Sequence, residues 1–263
     1  MKTNYHTHTT RCKHAIGRDE EYVISAIKGG YEELGFSDHS PWNYKTPGFK
    51  GSIRMGKEEL MGYLDSIRTL KEKYKDYISI KIGLECEYFE EYMPWLVDTI
   101  NREKLDYIIF GNHYYKSDEK GCYFGAVNDD VSLLYTYRDE TLKGMETGLY
   151  SYLAHADLFM RGYKRFDAHC EDISISICQR AKELNLPVEY NLAGAAYNKR
   201  NGVMNYPHRD FWKVASQVGC KAIIGVDAHD YRDLEDDTLR EEGIEFLDSL
   251  NLEVVDRISF FNH

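Results

Sequence analysis

The stretch Ala222-Ile223-Ile224-Gly225-Val226-Asp227-Ala228-His229 opens as an apolar run and closes on two side chains able to bind a cation. The apolar part has the length and character of a buried strand. Asp227 and His229 stand at i and i+2, which places both on one side of an extended chain. Outward from this stretch the pattern repeats. Seven short apolar runs can be counted, over residues 3–5, 33–37, 78–84, 107–111, 152–154, 188–190 and 222–226. Longer stretches of helical period lie between them, over 57–74, 98–103, 133–146, 173–184 and 239–250. In the first of these Leu60, Leu64, Ile67 and Leu70 recur at helical spacing behind Glu58 and Glu59. Strands alternating with helices predict an α/β fold of parallel β/α units. Residues 41–56 and 194–207, rich in Gly, Asn and aromatic side chains, read as loops over a site, and 252–263 stays unassigned.

The histidines follow the strands. His6, His8, His39, His113, His155 and His229 each fall at or just beyond the end of a run, and Glu85 and Asp227 obey the same rule. In a parallel barrel every strand end opens on one face, so these positions converge on a single site. The pair in His6-Thr7-His8 has the spacing of a chelate. Alone it fits two structural histidines equally well. An ionised Glu85 after Ile80-Lys81-Ile82-Gly83-Leu84 is costly to bury unless a cation pairs with it; the alternative is a carboxylate solvated at a loop, as Glu87 also permits. No cysteine shares the pattern, and Cys12, close to His14, reads as a bystander. Imidazole and carboxylate donors favour Zn, Mn or Fe over thiolate chemistry.

Composition narrows the partners. The 263 residues are 43% hydrophobic and 29% charged, with five prolines, as in a soluble globular chain, and no Pro/Ser-rich linker divides them, so one domain over 1–263 is expected. A net charge of −11 argues against a nucleic-acid partner, while bound divalent ions can still make an anion site in an acidic protein. The six cysteines show no pairing pattern, which fits a reducing cytoplasm, and no stretch has the length of a signal core or a membrane span. Oligomeric state is not read from the sequence.

The combination of His6-Thr7-His8, Ser37-Asp38-His39, Gly83-Leu84-Glu85, Asn112-His113, Ala154-His155-Ala156-Asp157 and Gly225-Val226-Asp227-Ala228-His229 resembles the polymerase and histidinol phosphatase (PHP) family. The motifs span nearly the whole chain. The resemblance implies a distorted seven-stranded (β/α)7 barrel with a trinuclear centre of divalent metals. By motif, the first metal takes His6, His8, Glu85 and Asp227, the second Glu85, His113 and His155, and the third His14, His39 and His229. Within the family the likeness is to the monofunctional histidinol phosphate phosphatase branch, carried by Cys12-Lys13-His14-Ala15, Tyr22-Val23 and Ser37-Asp38-His39-Ser40-Pro41.

The expected activity is hydrolysis of a small phosphate monoester, L-histidinol phosphate, to L-histidinol and phosphate in histidine biosynthesis. A water bridging closely spaced metals becomes hydroxide near neutral pH and is aimed at phosphorus. Arg161 and Arg200 are expected to grip the phosphate, with Arg200 standing later than the family's arginine after Gly194. Asp157 or a bound water is expected to protonate the leaving alkoxide. Trp42, Tyr44 and Phe49 are candidates for recognising imidazole and ammonium. The competing readings are a phosphodiesterase or nuclease, a protein tyrosine phosphatase, and a non-catalytic interaction module stabilised by metal.

Overall fold

The computed structural model describes residues 1–263 as an α/β fold. In chain order the strands are β1 (Thr3–Asn4), β2 (Glu33–Phe36), β3 (Ser79–Cys86), β4 (Tyr107–Phe110), β5 (Val188–Asn191), β6 (Lys221–Gly225) and β7 (Glu253–Val254). The helices are α1 (Asp19–Lys28), α2 (Leu60–Lys73), α3 (Met93–Glu103), α4 (Val131–Glu146), α5 (Phe159–Gly162), α6 (Ala168–Glu183), α7 (Leu192–Asn201), α8 (Arg209–Val218) and α9 (Thr238–Ser249). Every strand pairing is parallel: β1-β2-β3-β4 form a curled sheet, and β5-β6-β7 form a second. Single parallel bridges run from Phe110 to Leu153, from Leu153 to Val188, and from Thr7 to Ala228.

Two elements differ from expectation among the strands. The run 152–154 is a single bridging residue, Leu153, because the chain turns away at once through His155 at a φ of 29°. The unassigned tail supplies β7 instead, in register with Lys221 and Ala222. Among the helices, α2 buries Leu60, Tyr63, Leu64, Ile67 and Leu70 as its apolar spacing requires. α3 begins earlier than expected, with Pro94 in its first turn, where a missing N–H costs nothing. Residues 194–207 are not a loop throughout, since α7 occupies them to Asn201. The Asn191 side chain accepts from the Gly194 N–H at 2.8 Å and starts the helix, and Ala193, Ala195 and Ala196 favour it.

Strand alternation decides which side chains meet. In β4, Ile108 and Phe110 join the large core under the helices, whereas Tyr107 and Ile109 join a smaller cluster with Tyr5, Tyr152, Ala154, Ile223 and Ile258. In β3 the same parity sends Ile80, Ile82 and Leu84 to the helices and Gly83 and Glu85 to the other face. Gly83 has no side chain because the Tyr107 ring lies across it: a Cβ there would come within 2.7 Å of the ring. Tyr107 donates its hydroxyl to the carbonyls of Tyr5, just beyond β1, and Phe36 in β2, tying both to β4 across this floor. Two residues beyond Gly83 on the same face stands Glu85.

Candidate metal centre

All nine side chains expected to bind cations meet beyond that floor. Glu85 is the hub. Its Oε2 lies 2.8 Å from His39 Nδ1 and 3.6 Å from the Nε2 atoms of His6 and His8. Its Oε1 lies 2.8 Å from His155 Nε2 and 3.3 Å from His113 Nε2. On the other side Asp227 Oδ1 stands 3.3 Å from His6 Nε2, 3.1 Å from His8 Nε2 and 3.4 Å from His229 Nδ1. The His14 and His229 rings stack at 4.5 Å, with His39 close enough to share an ion. Cys12 Sγ approaches His8 and His229 and also accepts from the Ala15 N–H.

The local chain is held for this purpose. His155 and Asp227 both have positive φ, 29° and 53°, a conformation that costs side-chain-bearing residues energy and gathers at functional sites. Gly111 passes so close that a Cβ there would lie 2.2 Å from Glu85 Oε1 and 2.6 Å from His113 Cε1. Gly111→Ala is therefore expected to keep the fold but displace the Glu85 carboxylate, weakening cation affinity by roughly 10- to 100-fold in a chelator-competition titration. Wild-type affinity in that variant would remove Glu85 from the donor set.

The donor chemistry fits divalent cations. His6 Nε2, His8 Nε2, Asp227 Oδ1 and His229 Nε2 are buried polar atoms without a hydrogen-bond partner, as are His39 Nδ1 and Glu85 Oε2, whose 2.8 Å approach is not aligned as a hydrogen bond; proteins otherwise avoid such an arrangement. Burial opposes ionisation of both acids, yet the surrounding imidazoles hold Glu85 and Asp227 well below the carboxylate range. Burial likewise opposes charge on His8, but its contacts with Asp227 and Asp38 outweigh that and raise it to about 9. Two buried carboxylates thus require positive charge beside them, which bound cations would supply.

Behind the donors lie carboxylates that the sequence pattern does not single out. Glu189 Oε1 is 2.7 Å from His6 Nδ1, while its Oε2 accepts from the His155 N–H and the Asn191 amide. Asp38 stands 3.5 Å from His8 Nδ1, and Glu87 lies 3.0 Å from His113 Nδ1. Glu189, in the middle of an otherwise half-apolar strand, is the one detectable signal, since an acid there is rarely solvated.

Of the remaining expected residues, one shares a cavity with the donors. Arg200 lines a cavity of about 810 Å³ together with His14, Asp227 and His229. Arg161 is exposed and donates to the Tyr123 hydroxyl at 2.8 Å. Asp157 is fully buried, accepts from the His208 N–H at 2.5 Å, and is pushed up to about 7 by burial, which that hydrogen bond only partly offsets. Trp42 is not a ligand reader: it is buried against Phe89 and donates to Glu87. Tyr44 donates to Asp118 and meets Phe49 edge-on.

The family model described as PHP domain matches residues 4–193. A Deinococcus radiodurans protein named "Probable histidinol-phosphatase" is 26% identical over 237 residues, covering 85% of each chain. The histidinol-phosphatase of Bacillus subtilis is 30% identical over 124 residues, 45% of this chain and 46% of that one. Among solved structures, histidinol phosphate phosphatase from Lactococcus lactis subsp. lactis, complexed with Zn, L-histidinol and phosphate, shares the fold. Its TM-score is 0.75 at 19% identity, over 99% of both chains.

Proposed function

This chain belongs to the PHP domain family, and on that premise we propose that it is a metal-dependent histidinol-phosphatase, hydrolysing L-histidinol phosphate in histidine biosynthesis. The observation that carries the reading is the buried imidazole and carboxylate cluster around Glu85, with its unpartnered donor atoms. The name of the relative matched over 85% of the chain supports the substrate. The net charge of −11 disfavours a nuclease.

In this reading His6, His8, Glu85 and Asp227 hold one ion, Glu85, His113 and His155 a second, and His14, His39 and His229 a third. Nitrogen and oxygen donors suit Zn, Mn or Fe. Such ions, when bound, supply Lewis acidity toward phosphoryl oxygens and acidify water. Arg161 and Arg200 bind phosphate oxygens and offset the charge of the transition state. Asp157, protonated in part near neutrality, donates its proton to the leaving alkoxide.

The same reading extends to the architecture. The bridges at Leu153 and Thr7 support one distorted (β/α)7 barrel, and one core cluster drawing residues from Tyr22 to Leu252 supports a single domain over 1–263. Unpaired cysteines are consistent with a reducing cytoplasm. No helix is long and apolar enough to cross a membrane.

Purified protein is to be assayed on histidinol phosphate, phosphotyrosine and an oligonucleotide, with metal analysis of the same sample. A preference for histidinol phosphate of at least a hundredfold is expected; preferential turnover of either other substrate overturns the assignment. Arg161→Ala is expected to lower kcat/KM by about 10- to 100-fold through lost charge-assisted hydrogen bonds. Wild-type kinetics in that variant would take Arg161 out of the phosphate site.

A further inference from the structure

The loop over residues 41–56 follows His39-Ser40 directly and returns to the site through one side chain. Arg54 is fully buried. Its Nη2 donates to Glu87 Oε1 at 2.7 Å and its Nη1 to Glu87 Oε2 at 3.1 Å, a bidentate pair. Nη1 also donates to the carbonyl of Ser40 at 3.0 Å, and Nε to Asp118 at 2.9 Å. Trp42 Nε1 adds a third hydrogen bond to Glu87, at 2.9 Å. Asp118 is held in turn by the Tyr44 hydroxyl at 2.5 Å.

Glu87 Oε1, fixed in this way, lies 3.0 Å from His113 Nδ1, while His113 Nε2 faces Glu85. An ionised Glu87 accepts only, so the Nδ1 beside it carries the proton and Nε2 keeps its lone pair directed at the donor group. One arginine therefore touches two of the site's edges: His113 through Glu87, and His39 through the Ser40 backbone.

Stability alone does not account for such an arrangement. Buried ion pairs roughly break even against apolar side chains of similar volume, and Arg54 brings two carboxylates into the interior with it. We propose that Arg54 and Glu87 are a positioning pair, which holds His113 in the tautomer that binds metal through Nε2 and so sets affinity at the sub-site of Glu85, His113 and His155. This rests on the reading of that cluster as a metal centre.

The test is metal binding, measured without substrate by elemental analysis and chelator competition on wild type, Glu87→Ala, Glu87→Gln, Arg54→Met and Arg54→Lys. Glu87→Ala is expected to weaken one metal equivalent by roughly 10- to 100-fold and leave the others unchanged. Glu87→Gln retains an acceptor for Nδ1–H and is expected to recover part of that loss. Arg54→Met should weaken the same equivalent, and Glu87→Ala/Arg54→Met no more than Glu87→Ala alone, since both act through His113. In 15N-histidine NMR of the zinc-loaded protein, His113 should be bound through Nε2 with its proton on Nδ1 in wild type and lose that pattern in Glu87→Ala.

Unchanged affinity for every equivalent in a folded Glu87→Ala protein, or uniform loss across all equivalents, overturns the proposal. Should Glu87→Ala not fold, Arg54→Met and Arg54→Lys decide it: unchanged affinity for every equivalent in both, or uniform loss across all equivalents, overturns the proposal. A wild-type protein that binds no metal would instead defeat the metal-centre reading, an outcome separate from these.

Discussion

Asp227→Asn is expected to lower phosphate release from histidinol phosphate by about three orders of magnitude or more while leaving the chain folded. The substitution keeps shape and removes charge. Asn191 Nδ2 donates to Asp227 Oδ2 at 3.1 Å, so a carboxamide here turns its oxygen to Asn191 and its NH2 toward His6 and His8. A donor-only group then faces two imidazoles where a cation needs an anion. Steady-state kinetics, elemental analysis and near-ultraviolet circular dichroism on one preparation check this. Turnover within tenfold of wild type would sink the assignment of Asp227 as a ligand.

Stripping the metals is expected to abolish turnover and lower the melting temperature, both reversibly on adding metal back. A site held at one hundred times its dissociation constant stabilises the folded state by about 2.7 kcal/mol. For a chain of this size each kcal/mol moves Tm by roughly 2–4 °C, so each occupied site is worth roughly 5–11 °C. Binding this tight is expected because the metal-free site leaves Glu85 and Asp227 buried among imidazoles that must then carry the compensating charge. Differential scanning fluorimetry with and without chelator, followed by Zn and Mn titration, measures it. An unchanged Tm together with unchanged activity would exclude a resident metal.

The convergent donors were legible because strand period and side-chain chemistry coincide: six of the seven apolar runs, all but 188–190, are followed within two residues by His, Glu or Asp, and parallel strands open on one face. Helices with an apolar stripe, such as α2 and α6, were legible for the same reason. α7 was not, since it buries only Leu192 and Gly194 along its length and so offers no stripe, while its Gly and Asn residues resemble those of a loop. α8, whose Phe211, Trp212, Val214 and Ala215 do make a stripe, went unassigned behind an unusual histidine cap. Glu87, Asp38 and Glu189 escaped for a different reason. A carboxylate beside a ligand and a carboxylate in water have the same letter, and only burial separates them. Trp42 shows the converse, an aromatic loop residue that serves Glu87.

The donors are drawn from nearly every strand, from His6 at the start to His229 near the end, and this orders events during synthesis. Roughly 220 residues separate His6 from Asp227, so at about 5–20 residues per second the first chelating pair leaves the ribosome some 10–45 s before its carboxylate partner exists. No partial chain can present the complete set of donors. Tight cation capture is therefore delayed until both sheets have been made and joined, and a growing chain is spared an early metal complex that would lock histidines into the wrong partnership.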